Sequence, residues 1–214
     1  MSRVAVRTAV VADAPFIARV HLRSWQVGYR GIMPDEVLDA ISLEQREERW
    51  RQILSGEEEP GFTVVADVDG RGVQGFGSGV SKTRDEDAGE RTGEVMALYV
   101  EPSRWRCGLG RQLLAEVLDR LQRKGCQEAT VWVLAENHGA RRFYASVGFA
   151  PDGAEGRHDT SGQTKVRLAA SLAEPATRPA PLRSGKQPSR VARGHRSHTG
   201  RLRGCMSGWC PSRS

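Results

Sequence analysis

The sequence predicts an α+β fold, a mixed and mostly antiparallel sheet with helices packed on it. Three observations carry this. Residues 62 to 100 hold three β-rich runs joined by polar links, which fits an antiparallel meander. The stretch LYVEPSRWRCGLGRQLL, residues 98 to 114, passes from a strand through a turn with two glycines into an amphipathic helix. A further strand, EATVWVL at 128 to 134, follows that helix, so it runs parallel to the strand before it with a right-handed crossover.

The elements follow in order. VAVRTAV at 4 to 10 alternates weakly and reads as a first strand. Asp13 offers an N-cap oxygen, Pro15 fits a first helical turn, and Phe16, Ile17, Val20 and Ser24 trace one face of a helix that ends near Gly28. A second helix runs from Pro34 to about Ile41, and Ser42 with Gln45 opens a third that carries Leu43, Trp50, Ile53 and Leu54. GEEEPG at 56 to 61 is a polar turn. FTVVADV at 62 to 68, VQGFGSGV at 73 to 80 and GEVMALYV at 93 to 100 are the meander, linked by DGRG and by the acidic loop TRDEDAGERT. That loop reads as a solvated connection or as a rim that attracts an amine. Leu113, Leu114, Val117, Leu118 and Leu121 then repeat at helical spacing, and Gly125 ends the helix. ENHGARRFYASVGF gives a short helix stopped at Gly148, and Thr164 to Ala169 alternates like a last edge strand.

Residues 1–172 read as one domain and 173–214 as an appendage. The chain has 214 residues, a net charge of +6 and four cysteines with no C-x-x-C pair. Residues 173 to 214 hold nine Lys and Arg against Glu174 alone, a balance of +8, which leaves 23 basic and 25 acidic side chains, or −2, in the first 172. The basicity is a property of the tail. Rich in Pro, Gly, Ser and Arg and nearly without aliphatic residues, the tail is expected to be disordered. A purely solvated tail and weak phosphate-driven contact with nucleic acid are the two readings of its charge. His195, His198, Cys205 and Cys210 match no common zinc spacing, so no metal is expected. With neither a run of eighteen apolar residues nor the apolar core of a signal peptide, the chain is expected to be cytoplasmic, without contact with a membrane.

A strand that runs into a glycine turn and a helix leaves free backbone N–H groups at a positive helix end, which is a site for an anion. Gly108 and Gly110 permit close approach there. Arg106 and Arg111 could add charged contacts to a phosphate or could be plain surface arginines. Cys107 has no His or acid spaced to activate it, so it reads as a loop thiol with a backbone role rather than a nucleophile.

The order β-αα-βββ-α-β-α-β, with LYV-x-P before the glycine turn and N-x-x-A-x-x-F-Y-x-x-x-G-F after the next strand, resembles the GNAT family of N-acetyltransferases. The match covers residues 3 to 172. The family's pyrophosphate loop usually reads Gln/Arg-x-x-Gly-x-Gly/Ala, and Trp105 stands here where Gln or Arg is usual. The resemblance implies an α/β-α sandwich whose parallel central strands splay apart to admit acetyl-CoA, with a homodimer common among relatives.

It also implies roles. Leu98, Tyr99 and Val100 would pair with the pantetheine, and the Leu98 N–H would meet the thioester oxygen. Arg106, Cys107, Gly108, Leu109, Gly110 and Arg111 would hold the pyrophosphate, and Asn137 would touch the cofactor or cap its helix. An alkylamine of pKa ~10 must lose a proton before it attacks, and Glu94 is the candidate base. Tyr144 would protonate the departing thiolate; without the family it is a packed aromatic. Trp25 and Tyr29 would wall the acceptor site. A small-molecule amine is the first expectation, with polyamine, amino-acid-like and aminoglycoside acceptors all open. A protein N-terminus or lysine is the alternative, and a nucleic-acid or ribosome-binding module acting through the tail is the alternative from another class.

Overall fold

The computed structural model describes residues 3–56, 61–159 and 161–172. The basic tail, with its cysteines and histidines, and most of the GEEEPG turn lie outside the described residues. In chain order the elements are β1 (Val4–Thr8), α1 (Ala14–Gly28), α2 (Asp35–Asp39), α3 (Leu43–Ser55), β2 (Gly61–Val68), β3 (Gly72–Val80), β4 (Thr92–Val100), α4 (Leu109–Arg123), β5 (Glu128–Leu134), α5 (His138–Ala145), β6 (Ala150–Arg157) and β7 (Thr164–Ser171). The strands form one sheet in the order β1-β2-β3-β4-β5-β7-β6. β4 and β5 are its parallel pair, and the other neighbours are antiparallel.

Each face of the sheet carries its own core. On one side α4 lays Leu113, Leu114, Val117 and Leu121 against Val64, Val95, Ala129 and Val131. Glycine lets the helix come close. A Cβ placed on Gly75 would lie 2.9 Å from Leu113 Cδ1, and one on Gly77 would lie 3.0 Å from Val117 Cγ2. On the other side α1 and α3 bury Ile17, Ala18, Val20 and Trp50 against Val65, Val73 and Phe76. Ser42 caps α3 as expected, its Oγ accepting from the Gln45 N–H at 3.2 Å, and Gly56 closes that helix at φ +82°.

Three expectations need correction. Asp13 stands at the N-cap of α1 without capping it. Its carboxylate is held by the Arg7 guanidinium at 2.7 and 2.9 Å and by the Val10 N–H at 2.9 Å, so it closes the short 3-10 turn that precedes the helix. The sheet has a seventh strand, β6, in APDGAEGR, where no β-branched residue announces it. Such a sequence is tolerated because β6 pairs only with β7, across an irregularity between Pro151 and Glu155, and proline is admissible on an edge. For the same reason β7 is not the edge: it lies between β5 and β6.

Candidate active site

β4 and β5 stay in register only from Thr92 to Glu94, opposite Glu128 to Thr130, and no later pair joins them. The far half of β4 therefore has an open edge. The Glu101 N–H bonds to the Gln74 carbonyl on β3 at 2.9 Å, and peptide groups alternate sides along an antiparallel strand, so Leu98 and Val100 face the opening. Tyr99 turns its peptide toward β3, which amends the expectation that all three residues present a free edge. The Val100 carbonyl is already engaged, by Ser24 Oγ at 2.9 Å and Trp105 Nε1 at 2.7 Å. What this edge offers a ligand is the N–H of Leu98 and Val100 and the carbonyl of Leu98.

Below the opening lies the glycine turn. Gly108 is the N-cap of α4 at φ +87°, a conformation that favours glycine. Arg106 also has positive φ, +60°. Among the described residues no acceptor is found for the N–H groups of Arg106, Cys107, Gly108, Leu109 and Gly110, while those of Arg111 and Gln112 fold back onto the Gly108 carbonyl. Five successive donors at a helix start suit a pyrophosphate. Arg106 and Cys107 are exposed, the Leu109 side chain is core, and Arg111 donates to Ser146 Oγ at 3.3 Å. Trp105, half-exposed, lays its ring beside Gly28 of α1.

On the α1 face of the sheet a pocket is lined by His21, Trp25, Tyr29, Glu94, Tyr99, Trp132, His158 and Lys165, among others. Trp25 and Tyr29 both line it, stacked edge to face at 5.2 Å, and the Tyr29 hydroxyl lies 3.4 Å from that of Tyr99. Arg46 places its guanidinium over the Trp25 ring. Burial and the Arg46 charge depress the His21 imidazole well below its ordinary value, and its Nδ1 accepts from Trp50 Nε1 at 3.3 Å. A neutral histidine results.

Glu94 is 4 % exposed. Burial pushes its carboxyl up to about 7; Asp85 adds to the rise, while the Thr83 hydrogen bond, Lys165 and Arg84 oppose it. The donor is Thr83 Oγ1, at 2.9 Å from Glu94 Oε2. Most of the acidic loop is a solvated connection, with Glu86, Asp87 and Glu90 exposed, but two of its carboxylates are tied down. Asp85 is buried, and Asp85 and Asp87 are both bound by Arg167 of β7.

Tyr144 of α5 is buried between Phe143 and Phe149, and burial raises its phenol far above the usual range. Among the described residues its hydroxyl makes no hydrogen bond. Asn137 caps α5, its Oδ1 accepting from the Ala140 N–H at 3.0 Å.

Sequence reasoning missed Thr83, Trp132, His158, Lys165 and Arg167. One signal existed: in TKVRLAA the charged residues fall on alternate positions, which puts Lys165 and Arg167 on one face of β7. Alternation gives the period but not which face meets water. Here both residues are buried, at 3 % and 6 % exposure.

The sheet is thus forked, with a buried carboxylate at the root of the fork and an anion nest beyond the open end of β4. The acetyltransferase (GNAT) family model matches residues 24–149, and the chain belongs to that family. It is 34% identical over 135 residues to the uncharacterized N-acetyltransferase YuaI of Bacillus subtilis, spanning 63% of this chain and 73% of that protein. The PaiA N-acetyltransferase of Thermoplasma acidophilum, solved in complex with coenzyme A, superposes with a TM-score of 0.63 at 20% identity over 77% of this chain and 98% of its own. YncA of Salmonella typhimurium, solved with acetyl-CoA, superposes with a TM-score of 0.58 at 22% identity over 81% and 96%. This protein is an N-acetyltransferase. Among the described residues no helix is long and apolar enough to cross a membrane.

Proposed function

We propose that the enzyme moves the acetyl group of acetyl-CoA to the primary amine of a small, largely apolar molecule, by direct attack in a ternary complex. The observation that carries this is the position of Glu94, where β4 and β5 part and an aromatic pocket meets the opening. Acetyl-CoA supplies the activated acetyl group. The nest from Arg106 to Gly110 suits its pyrophosphate, and the N–H groups of Leu98 and Val100 suit its pantetheine. The Leu98 N–H then donates to the thioester oxygen as charge develops there. Glu94, deprotonated above about pH 7, takes the amine proton directly or through one water. Tyr144, held protonated by burial, gives a proton to the departing thiolate.

The pocket also favours one kind of acceptor. The rings of Trp25, Tyr29, Tyr99 and Trp132 form much of its wall, Lys165 brings a positive charge beside them, and the loop carboxylates nearest the sheet, Asp85 and Asp87, are bound to Arg167. A monoamine with a flat or apolar body fits better than a polyamine or aminoglycoside. An acetyl-CoA consumption screen decides. Arylalkyl and aliphatic monoamines should turn over fastest, whereas preference for spermidine-like polycations or for peptide N-termini and lysines would overturn the reading.

A further inference from the structure

We propose that Arg167 is a positioning residue for Glu94, acting through the loop at 83–92, and that Thr83 is the link. Arg167 does not touch Glu94. Its guanidinium, 7 % exposed, binds three carboxylates: Asp87 at 2.6 and 2.7 Å, Asp85 at 3.0 Å and Asp152 of β6 at 2.6 Å. Two of the three belong to the loop, so this one side chain fastens the loop to the sheet.

The fastening reaches the carboxylate by a directed path. Asp85 is further fixed by Trp132 Nε1 at 3.1 Å, and its backbone N–H donates to Thr83 Oγ1 at 3.2 Å. Having accepted there, the Thr83 hydroxyl spends its single hydrogen on Glu94 Oε2 at 2.9 Å. One carboxylate oxygen is thereby held, which fixes the plane of the carboxylate that would meet the amine or a bridging water. Arg167 also offsets part of the charge of Asp85, which opposes ionisation of Glu94. Both effects favour the ionised base. The other titratable groups that face Glu94 are Arg84 from the loop and Lys165 from β7, with His158, His21, Tyr29 and Tyr99 across the pocket.

The inference rests on Glu94 as the base, and its test separates the two. In the full chain, Glu94 titration is followed by the infrared band of its protonated carboxyl, assigned as the band that Glu94→Gln removes; no acceptor is needed. Arg167→Met and Thr83→Val should each move the midpoint alkaline by about one pH unit, and Arg167→Lys should restore part of the shift. With 2-phenylethylamine as the acceptor probe, Arg167→Met should lower kcat about tenfold and leave the KM for acetyl-CoA within about twofold. A midpoint unmoved in Thr83→Val overturns the inference, as does an Arg167→Met variant that loses activity with its midpoint in place. Should Arg167→Met not fold, Thr83→Val decides alone. If instead the midpoints shift while Glu94→Gln keeps wild-type kinetics, the assignment of the base fails and the positioning of Glu94 stands.

Discussion

Glu94 and Thr130 are the last residues in register between β4 and β5. Beyond them the two strands separate, so the carboxylate sits at the root of the opening, still covered by the sheet around it. A carboxylate on the far half of β4 would be better solvated and more acidic, and one earlier on the strand could not reach an acceptor in the pocket. Position and burial together give this acid its basicity.

The pH dependence of turnover follows. With a carboxyl at about 7 in the free enzyme, kcat/KM reckoned on the unprotonated amine should fall below that pH by about tenfold per unit and level off above it. Glu94→Gln should lower the plateau by roughly 10²–10⁴-fold and remove this acid limb. The pH-rate profiles of the two proteins check both statements, and superimposable profiles would remove Glu94 from the mechanism.

The same burial has a cost in stability. The folded carboxyl at about 7 lies above its unfolded value of 4.5, so the native state binds the proton more tightly. This group's contribution is therefore most favourable below pH 4.5 and is lost as pH rises through 7, by about 3 kcal/mol in total. Glu94→Gln should thus be more stable than wild type at pH 8 by an amount of that order, with the gain shrinking toward pH 5. Urea unfolding midpoints at the two pH values measure it, and a variant that is less stable at pH 8 would contradict the burial argument.

The strand, glycine turn and helix that form the anion nest were legible in the sequence because their determinants are local. Gly108 and Gly110, the strand before them and the Leu113-to-Leu121 repeat all fall within about two dozen residues, and a glycine turn between strand and helix has few other outcomes. The acceptor side was not legible. Thr83 meets Glu94 only across the β3–β4 connection, and Arg167 meets Asp87 across 80 positions of sequence. The alternation of TKVRLAA left the environment of its polar face open, because nothing in that stretch reports the loop that covers it. β6 was missed for a different reason: an edge strand needs little intrinsic β preference when β7 supplies its pairing.

Tyr144→Phe separates packing from chemistry. The ring is held between Phe143 and Phe149, and the substitution keeps it, so the melting temperature should move by no more than about 2 °C, as expected for loss of one hydroxyl without a protein partner. Turnover should fall by about 10²-fold, because the thiolate then leaves without its proton donor. Release of free coenzyme A thiol measures this, and undiminished turnover would return Tyr144 to the role of a core aromatic.

Glycine on β3 sets the depth at which α4 docks. A Cβ on Gly75 would lie 2.9 Å from Leu113 Cδ1 and 3.0 Å from the Tyr99 carbonyl oxygen, and the second of these is backbone that has little freedom to yield. Gly75→Ala should destabilise the protein by about 1–3 kcal/mol through overpacking. Because α4 carries the anion nest at its N-terminus, the displaced helix should also bind acetyl-CoA more weakly. Chemical unfolding and calorimetric titration check the two effects; a stable variant with unchanged affinity would show that the sheet, not the helix, gives way.

Trp105 is where this chain departs from the residue usual in its family, and the structure gives the departure a function. Its indole N–H holds the Val100 carbonyl at 2.7 Å, while its ring lies beside Gly28, so the loop that leads into the nest is tied both to the end of β4 and to α1. Ser24 holds the same carbonyl at 2.9 Å, so loss of the indole leaves that oxygen satisfied and frees only the loop. Trp105→Ala should therefore weaken acetyl-CoA binding about tenfold, equivalent to ~1.4 kcal/mol, through the cost of ordering five donors that are otherwise held in place. The KM for the amine should not change, since Trp105 does not line the acceptor pocket. Titration of the variant with acetyl-CoA gives the first quantity and steady-state kinetics the second; an unchanged cofactor affinity would mean that the glycine turn holds its shape without the tether.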